Sequence, residues 1–529
     1  MSSGDEAAHL NIAAEILCRG DDAGVALRFR SDGERIDVGY AELRQRVRQM
    51  AAAFERLGIQ EEQRVLVILP DCPEYVYAFL GAIWAGAVPV LVSTFLRPGD
   101  SLPFVRETRA RAVITTAAVA DVLEAETRPL PMVLTVGGGR SGTLWQAIED
   151  APASPGPFPT HRDDPAFWLY SSGTTGRPKG VVHRHRDILH AVESYGRHIL
   201  GVHAGDVAYA TSKLFFAYGL GASLYFPLAA GASAVLSPEP FSPARTWTIL
   251  SEERPSLFFA VPSVYRALLE QAPPGAQEAI SGLRRLVSAG EALPEALFHA
   301  WKERFGQDII DGLGSTETLH IFLSNRPGEC RPGSLGRPVP GYEVRVVDEG
   351  DVPVAAGSAG RLLVRGESIA AGYWQRAEAT CRAFRGEWLA TGDQAVENPD
   401  GSFRVLGRTD DMLKVSGQWV SPPEVESVVA SVDGVRECAV IGAAGEGGLT
   451  ELVACVVGVS GEADALRERI ERACADGLPR FKRPKRLAFL ESIPRTATGK
   501  VQRFALHERI GVRPPHGLTE RCGPGPGSA

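Results

Sequence analysis

Apolar positions recur with a helical period from residue 43 onward. Leu43, Val47, Met50, Phe54 and Leu57 share one face, Arg44, Arg46, Arg48 and Glu55 lie off it, and Gly58 stands where the helix would end. The stripe reads as core rather than as a cofactor contact. Burying its five side chains is worth about 1.5–3 kcal/mol each before entropy is subtracted. Arg64–Pro70 then reads as a buried strand, Glu74–Ala85 as a helix and Val88–Val92 as a second strand. Similar apolar runs return at Ala112–Thr115, Ala232–Leu236, Ser256–Ala260 and Leu286–Ala289, with helical segments between. Such alternation predicts an α/β fold built on parallel sheets.

After about residue 330 the strands come closer together, at Glu343–Val347, Gly360–Arg365 and Ser402–Leu406, which predicts a small β-rich subdomain. Beyond Gly407-Arg408-Thr409-Asp410 the pattern becomes α+β. A helix over Pro423–Val432 is followed by strands Val435–Ile441 and Leu452–Val459, a helix Ala463–Ala475 and a strand Arg486–Leu490. The expected division is a large N-terminal domain over 1–408, a small C-terminal lobe over 409–510, and a Pro/Gly-rich tail over 511–529 that is expected to be disordered.

With 529 residues, 44% of them hydrophobic, the chain exceeds what one core organises, so two or three subdomains are expected. A net charge of -8 gives no footing for nucleic acid. Eight cysteines without a Cys-x-x-Cys pair or zinc spacing read as reduced thiols, and with a start that lacks signal-peptide features they predict a cytoplasmic protein. Two uncharged runs, Tyr75–Phe95 and Leu214–Ser237, are long enough to span a bilayer. Gly81, Gly86 and Pro89 break the first and Gly219, Gly221, Pro227 and Gly231 the second, which favours buried elements over membrane spans.

The densest chemistry lies at Tyr170–Gly180, Tyr-Ser-Ser-Gly-Thr-Thr-Gly-Arg-Pro-Lys-Gly. Gly173, Gly176 and Gly180 let backbone N–H groups approach an anion, Ser171, Ser172, Thr174 and Thr175 add hydroxyls, and Lys179 adds a point charge. The spacing is not that of an ordinary P-loop. Taken alone the run reads as a flexible loop, but Phe167–Tyr170 before it and Val181-Val182 after it read as buried strands that clamp it. In Asp311-Gly-Leu-Gly-Ser-Thr-Glu317, Glu317 suits a Mg²⁺ ligand and Thr316 a phosphate oxygen, the bland alternative being a strand-end turn. Ser288-Ala289-Gly290-Glu291 ends a strand where a nucleotide base could lie. Asp393 suits two ribose hydroxyls and Arg408 a ribose or phosphate.

Taken in order, the Ser/Thr/Gly loop, Ser-Thr-Glu, Thr-Gly-Asp, Gly-Arg-x-Asp and Pro-Arg-Thr-x-Thr-Gly-Lys (494–500) resemble the adenylate-forming superfamily of acyl-CoA synthetases, adenylation domains and firefly luciferase. The resemblance covers about residues 10–510. It implies that a carboxylate attacks the α-phosphate of ATP, with Mg²⁺, and that a thiol then captures the acyl group. It implies nucleotide contacts at Ala289, Gly290, Glu291, Asp311 and Gly312, and a catalytic role for Lys500 beside Thr316 and Glu317. Asp410 becomes a hinge about which the small lobe moves, and Ser416 and Gly417 line the thiol's approach.

No acidic residue lies between Lys213 and Ser237, which argues against an amino-acid substrate. Lys213–Gly221 and Thr318–Ser324 are instead similar to benzoate-CoA ligases, which implies a one-ring pocket from Phe216, Ala217, Tyr218, Gly314, His320 and Ile321. His320 reads as a hydrogen-bonded wall residue or an acid–base group, and either it or Tyr218 could meet a polar ring substituent. The acceptor is coenzyme A or, alternatively, the phosphopantetheine of an acyl carrier protein. Coenzyme A calls for cations around its 3′-phosphate, none of which the sequence assigns; Lys482, Arg483 and Lys485 are named only as nearby positive charge. A catalytically silent nucleotide or aryl-acid binding protein is the alternative of another class.

Overall fold

The computed structural model describes residues 8–126, 131–137, 142–152, 156–171, 178–409, 412–415, 418–445, 450–459, 463–495 and 501–514. They fall into two compact units. The first holds the described residues up to Ser171 with Pro178–Val344 and Val364–Leu389; the second holds Arg345–Leu363 and the described residues from Ala390 onward. Strands Glu343–Val347, Ala359–Arg365 and Trp388–Glu397 run from one unit into the other.

The first unit is built on two sheets. One has seven strands in the order Gly372–Tyr373, Lys179–Arg184, Pro165–Ser171, Val88–Leu91, Arg64–Ile68, Ala112–Thr116, Met132–Val136. The other has nine, ordered Arg337–Pro338, Ile321–Ser324, Ile309–Gly314, Arg285–Ser288, Leu257–Ala260, Val207–Ala210, Ser233–Leu236, Val25–Ser31, Glu34–Gly39. Their centres are parallel and buried on both faces, as the near-continuous apolar runs require. The expected parallel sheets carry antiparallel edges that the alternation did not show. Pro165–Ser171, Lys179–Arg184 and Gly372–Tyr373 are antiparallel, and so are Ile309–Gly314, Ile321–Ser324 and Arg337–Pro338. The links within 171–179 and 314–321 are too short for a crossover helix, so these strands must fold back on their neighbours.

Helix Tyr40–Arg56 buries Leu43, Val47, Met50 and Phe54 completely, while Leu57 falls at its C-cap, half-exposed. It packs on helix Pro73–Trp84, which is buried on all sides from Tyr75 to Ile83. That explains the first uncharged run. The second run breaks into short helical turns at Ala217–Leu220, Gly221–Tyr225 and Phe226–Ala229 before strand Ser233–Leu236. No helix among the described residues is long and apolar enough to cross a membrane. The seven described cysteines form no disulfide.

In the second unit strand Thr450–Gly458 lies between Val435–Ala444 (antiparallel) and Arg486–Phe489 (parallel). Helices Pro422–Ala430 and Ala463–Gly477 supply Val425, Val429, Leu466 and Ile470 to one core, and Leu506 of helix Arg503–Arg509 joins another with Ile441 and Val453. Ser421 starts the first of these helices by accepting from Glu424 N at 3.3 Å.

Candidate active site

The antiparallel edges of the two sheets carry most of the chemistry. Across the first edge Ser171 pairs in register with Lys179, and buried Phe167, Trp168, Leu169 and Val181 hold the ladder in place. The Ser171 hydroxyl donates to Glu317 Oε1 at 3.1 Å, and the Tyr373 hydroxyl donates to the same oxygen at 2.9 Å. Lys179 Nζ lies 4.7 Å from the centre of the Tyr373 ring. Tyr373 escaped the sequence reading because its two-residue strand shows no periodicity; it is placed by pairing with Val181.

Glu317 is presented by a turn whose backbone is held on all sides. His183, fully buried and stacked on Phe167, donates from Nε2 to the Thr316 carbonyl at 2.8 Å, and its Nδ1 lies 3.0 Å from Asp187 Oδ2. Ala370 N donates to the Glu317 carbonyl at 2.9 Å and the Ser368 hydroxyl to that of Thr318 at 2.8 Å. Leu319 then takes a left-handed φ of 68°, a costly geometry for a side chain of this size. With three successive carbonyls anchored, the carboxylate cannot drift without moving the sheet edge.

His320 and Ile321 follow directly and belong to a different environment. His320 is 3% exposed, ringed by Phe226 (4.6 Å between centroids), Tyr195 (5.3 Å) and Tyr218 (5.5 Å). Burial pushes its pKa down to about 3, so the ring is neutral at pH 7. Among the described residues neither ring nitrogen has a close side-chain hydrogen-bond partner, the nearest polar influence being the backbone of Tyr218. Tyr218, the other candidate for a polar substituent, already donates its hydroxyl to the Val287 carbonyl at 2.9 Å. Phe216 and Ala217 lie on the turn into helix Ala217–Leu220. Gly314 allows the hairpin to close, because a Cβ there would sit 2.5 Å from the His320 carbonyl oxygen.

Behind this wall Ser288 pairs with Asp311 on adjacent parallel strands, with Ala289, Gly290 and Glu291 just past one strand end and Gly312 on the other. Asp311 is a buried carboxyl whose pKa rises to about 8 through desolvation, so it is protonated at neutral pH. The Ser288 hydroxyl and the backbone of Gly312 and Leu293 act against that rise, but desolvation outweighs them.

In the second unit Asp393 and Arg408 are register partners, joined by a 3.2 Å contact between Oδ1 and Nη1, and Arg408 also donates to the Thr391 carbonyl at 2.9 Å. The positive charges noted in this lobe are internally engaged: Lys482 with both Glu424 oxygens at 2.7 Å, Lys485 with Glu451 at 2.8 Å, Arg483 with the carbonyls of Leu478 and Ala475. Ser172, Gly173, Thr174, Thr175, Gly176, Asp410, Ser416, Gly417 and Lys500 lie outside the described residues.

The profile of the family described as AMP-binding enzyme matches residues 19–374, and that of the AMP-binding enzyme C-terminal domain matches 424–500. The chain belongs to the AMP-binding enzyme family. Among AMP-binding enzymes it is 42% identical over 474 residues to the benzoate–CoA ligase of Thauera aromatica, covering 88% of this chain and 90% of that one. A solved benzoate CoA ligase from Burkholderia xenovorans LB400 superposes with a TM-score of 0.85 at 38% identity, covering 94% and 99% of the two chains. An anthranilate CoA ligase solved with anthranoyl-AMP gives 0.88 at 36% identity, covering 97% and 99%.

Proposed function

We propose that this chain uses ATP to activate benzoate or a ring-substituted benzoate and passes the aroyl group to the thiol of coenzyme A. The observation that carries the reading is the turn from Ser315 to Ile321. Glu317 shares Tyr373 with Lys179 at one end, while His320 and Ile321 join an uncharged aromatic wall three residues on. Residues for a polyphosphate and for an apolar acid therefore sit on one rigid element. The likeness to benzoate and anthranilate CoA ligases over almost the whole chain supports the same reading.

In the first step a carboxylate oxygen bonds to the α-phosphorus as the bond to pyrophosphate breaks. In the second the thiol sulfur bonds to the acyl carbon, AMP leaves, and the thiol proton passes to solvent. Lys179 supplies positive charge to the phosphates, with Ser171, Ser172, Gly173, Thr174, Thr175 and Gly176 as donors and Thr316 assigned to a phosphate oxygen. Ala289, Gly290, Glu291, Asp311 and Gly312 serve the base, and Asp393 and Arg408 the ribose. Lys500 is assigned to the meeting of the two anionic reactants. A magnesium ion fits Glu317: two hydroxyls occupy Oε1, and Oε2 carries no hydrogen bond among the described residues. When bound, the ion supplies neutralising charge to the phosphates.

Pyrophosphate release measured across benzoate, hydroxybenzoates and aminobenzoates tests the reading. Release with at least one of these acids, followed by an aroyl thioester on added coenzyme A, is expected. No release with any aryl acid overturns it, and transfer only to a carrier protein's phosphopantetheine overturns the acceptor.

A further inference from the structure

We infer that Tyr373 is a positioning residue that holds the phosphate-binding lysine and the metal-binding carboxylate next to each other without letting them pair. The inference rests on the roles proposed for Lys179 and Glu317 and deepens them. One side chain meets both groups: its hydroxyl donates to Glu317 Oε1 at 2.9 Å and its ring lies 4.7 Å from Lys179 Nζ. No ion pair joins Lys179 to Glu317 among the described residues.

That separation has a chemical purpose. A direct ion pair would commit the ammonium to Glu317 and leave less of either charge for a ligand. The face of a tyrosine attracts an ammonium by only about 0.5–1 kcal/mol at a partly exposed site, and it leaves the N–H donors free for phosphate oxygens. The hydroxyl orients the carboxylate through Oε1 and leaves Oε2 for a cation. Tyr373 thus keeps opposite charges in register for a magnesium–polyphosphate, which carries the complementary pair.

The backbone enforces this placement from two directions. Ala371 N donates to the Val182 carbonyl and Trp374 N to that of Gly180, both at 2.8 Å, so the segment is locked to the strand that starts at Lys179. One residue earlier, Ala370 N donates to the Glu317 carbonyl at 2.9 Å. Tyr373 N donates to Thr380 Oγ1 at 3.0 Å, and Phe384 packs edge-on to the ring at 5.4 Å. The segment Ala370–Trp374 therefore binds both halves of the corner.

Tyr373→Phe keeps the ring and the strand pairing and removes only the donor; Tyr373→Leu removes the aromatic face as well. ATP affinity is measured by calorimetry with and without Mg²⁺, together with the Mg²⁺ concentration that half-saturates aroyl-adenylate formation. In Tyr373→Phe the tightening of ATP by Mg²⁺ should fall about ten- to a hundredfold, the loss of one hydrogen bond to a charged group. The half-saturating Mg²⁺ should rise by a similar factor, with the KM for aryl acid unchanged. Tyr373→Leu should also weaken ATP without metal. Ser171→Ala, which removes the other donor to Oε1, should lower the Mg²⁺ coupling in the same direction and also weaken ATP without metal, because Ser171 is assigned to the phosphates as well. Unchanged Mg²⁺ coupling in both Tyr373→Phe and Ser171→Ala, or in Tyr373→Phe an equal loss of ATP affinity with and without metal, overturns the inference while the proposed function stands. A wild-type chain that forms no adenylate overturns that function and the inference with it.

Discussion

Asp311 is 8% exposed, and the unfolded chain would release its proton near pH 4 whereas the folded chain holds it until about pH 8. Between those values the folded state binds more protons than the unfolded one. Stability therefore falls as pH rises through the window, and the loss is complete above about pH 8, by linkage on the order of several kcal/mol. Asp311→Asn removes the ionisation and should raise the melting temperature at pH 8 while leaving it nearly unchanged at pH 4. Melting curves across that range check it, and an equal shift at both ends would show that burial does not set this pKa. His320 illustrates the same physics with opposite sign, since desolvation keeps an imidazole neutral where an exposed one would begin to protonate. The sequence showed both residues at chemically suggestive positions. Their protonation states were not legible there, because desolvation comes from neighbours distant along the chain: Tyr195, Tyr218 and Phe226 for His320.

Among the elements, the Lys213–Leu220 turn connects buried polar anchors to the aromatic wall. Lys213 is 7% exposed and donates to the carbonyls of Ser237 at 2.5 Å and Glu239 at 2.7 Å. Asp71, its pKa raised to about 6 by burial, accepts from Leu214 N at 2.9 Å. The chain then doubles back so tightly that a Cβ on Gly219 would fall inside the carbonyl oxygens of Ser212 and Lys213. Gly219→Ala must therefore displace the turn that carries Phe216 and Tyr218, at a cost of about 1–3 kcal/mol. The KM for aryl acid should rise about tenfold with ATP affinity preserved; calorimetry with ATP and initial rates against benzoate test this split. Long periodic elements such as Tyr40–Arg56 were legible from side-chain spacing. The antiparallel edges were not, since a pair of residues such as Gly372–Tyr373 becomes a strand only where another strand offers it hydrogen bonds.

For the whole molecule the decisive prediction concerns Lys500, the lysine assigned to the two reacting anions. Lys500→Ala should slow aroyl-adenylate formation about a hundred- to a thousandfold, the usual worth of one preorganised donor, and leave thiol capture from supplied aroyl-adenylate largely intact. Pyrophosphate release and thioester formation, followed separately, check it. Equal loss in both half-reactions would remove the assignment. In the second unit Lys482 and Lys485 are each tied to a carboxylate of the same lobe, so recognition of the acceptor's nucleotide must compete with those pairs or use other groups.

The amino-acid order alone determined the α/β class, the buried helix and strand within Tyr75–Val92, and the set of motifs that marks an AMP-binding enzyme. These are properties of spacing and residue type, which do not depend on knowing what packs against what. Tertiary structure decided that Ser171, Glu317, Tyr373 and Lys179 form one corner, and that His320 is ringed by Tyr195, Tyr218 and Phe226. It also decided that Asp311 holds a proton at neutral pH. Each depends on contacts between residues tens to hundreds of positions apart, and the hydrogen bonds and desolvation that define them exist only once the sheets have formed.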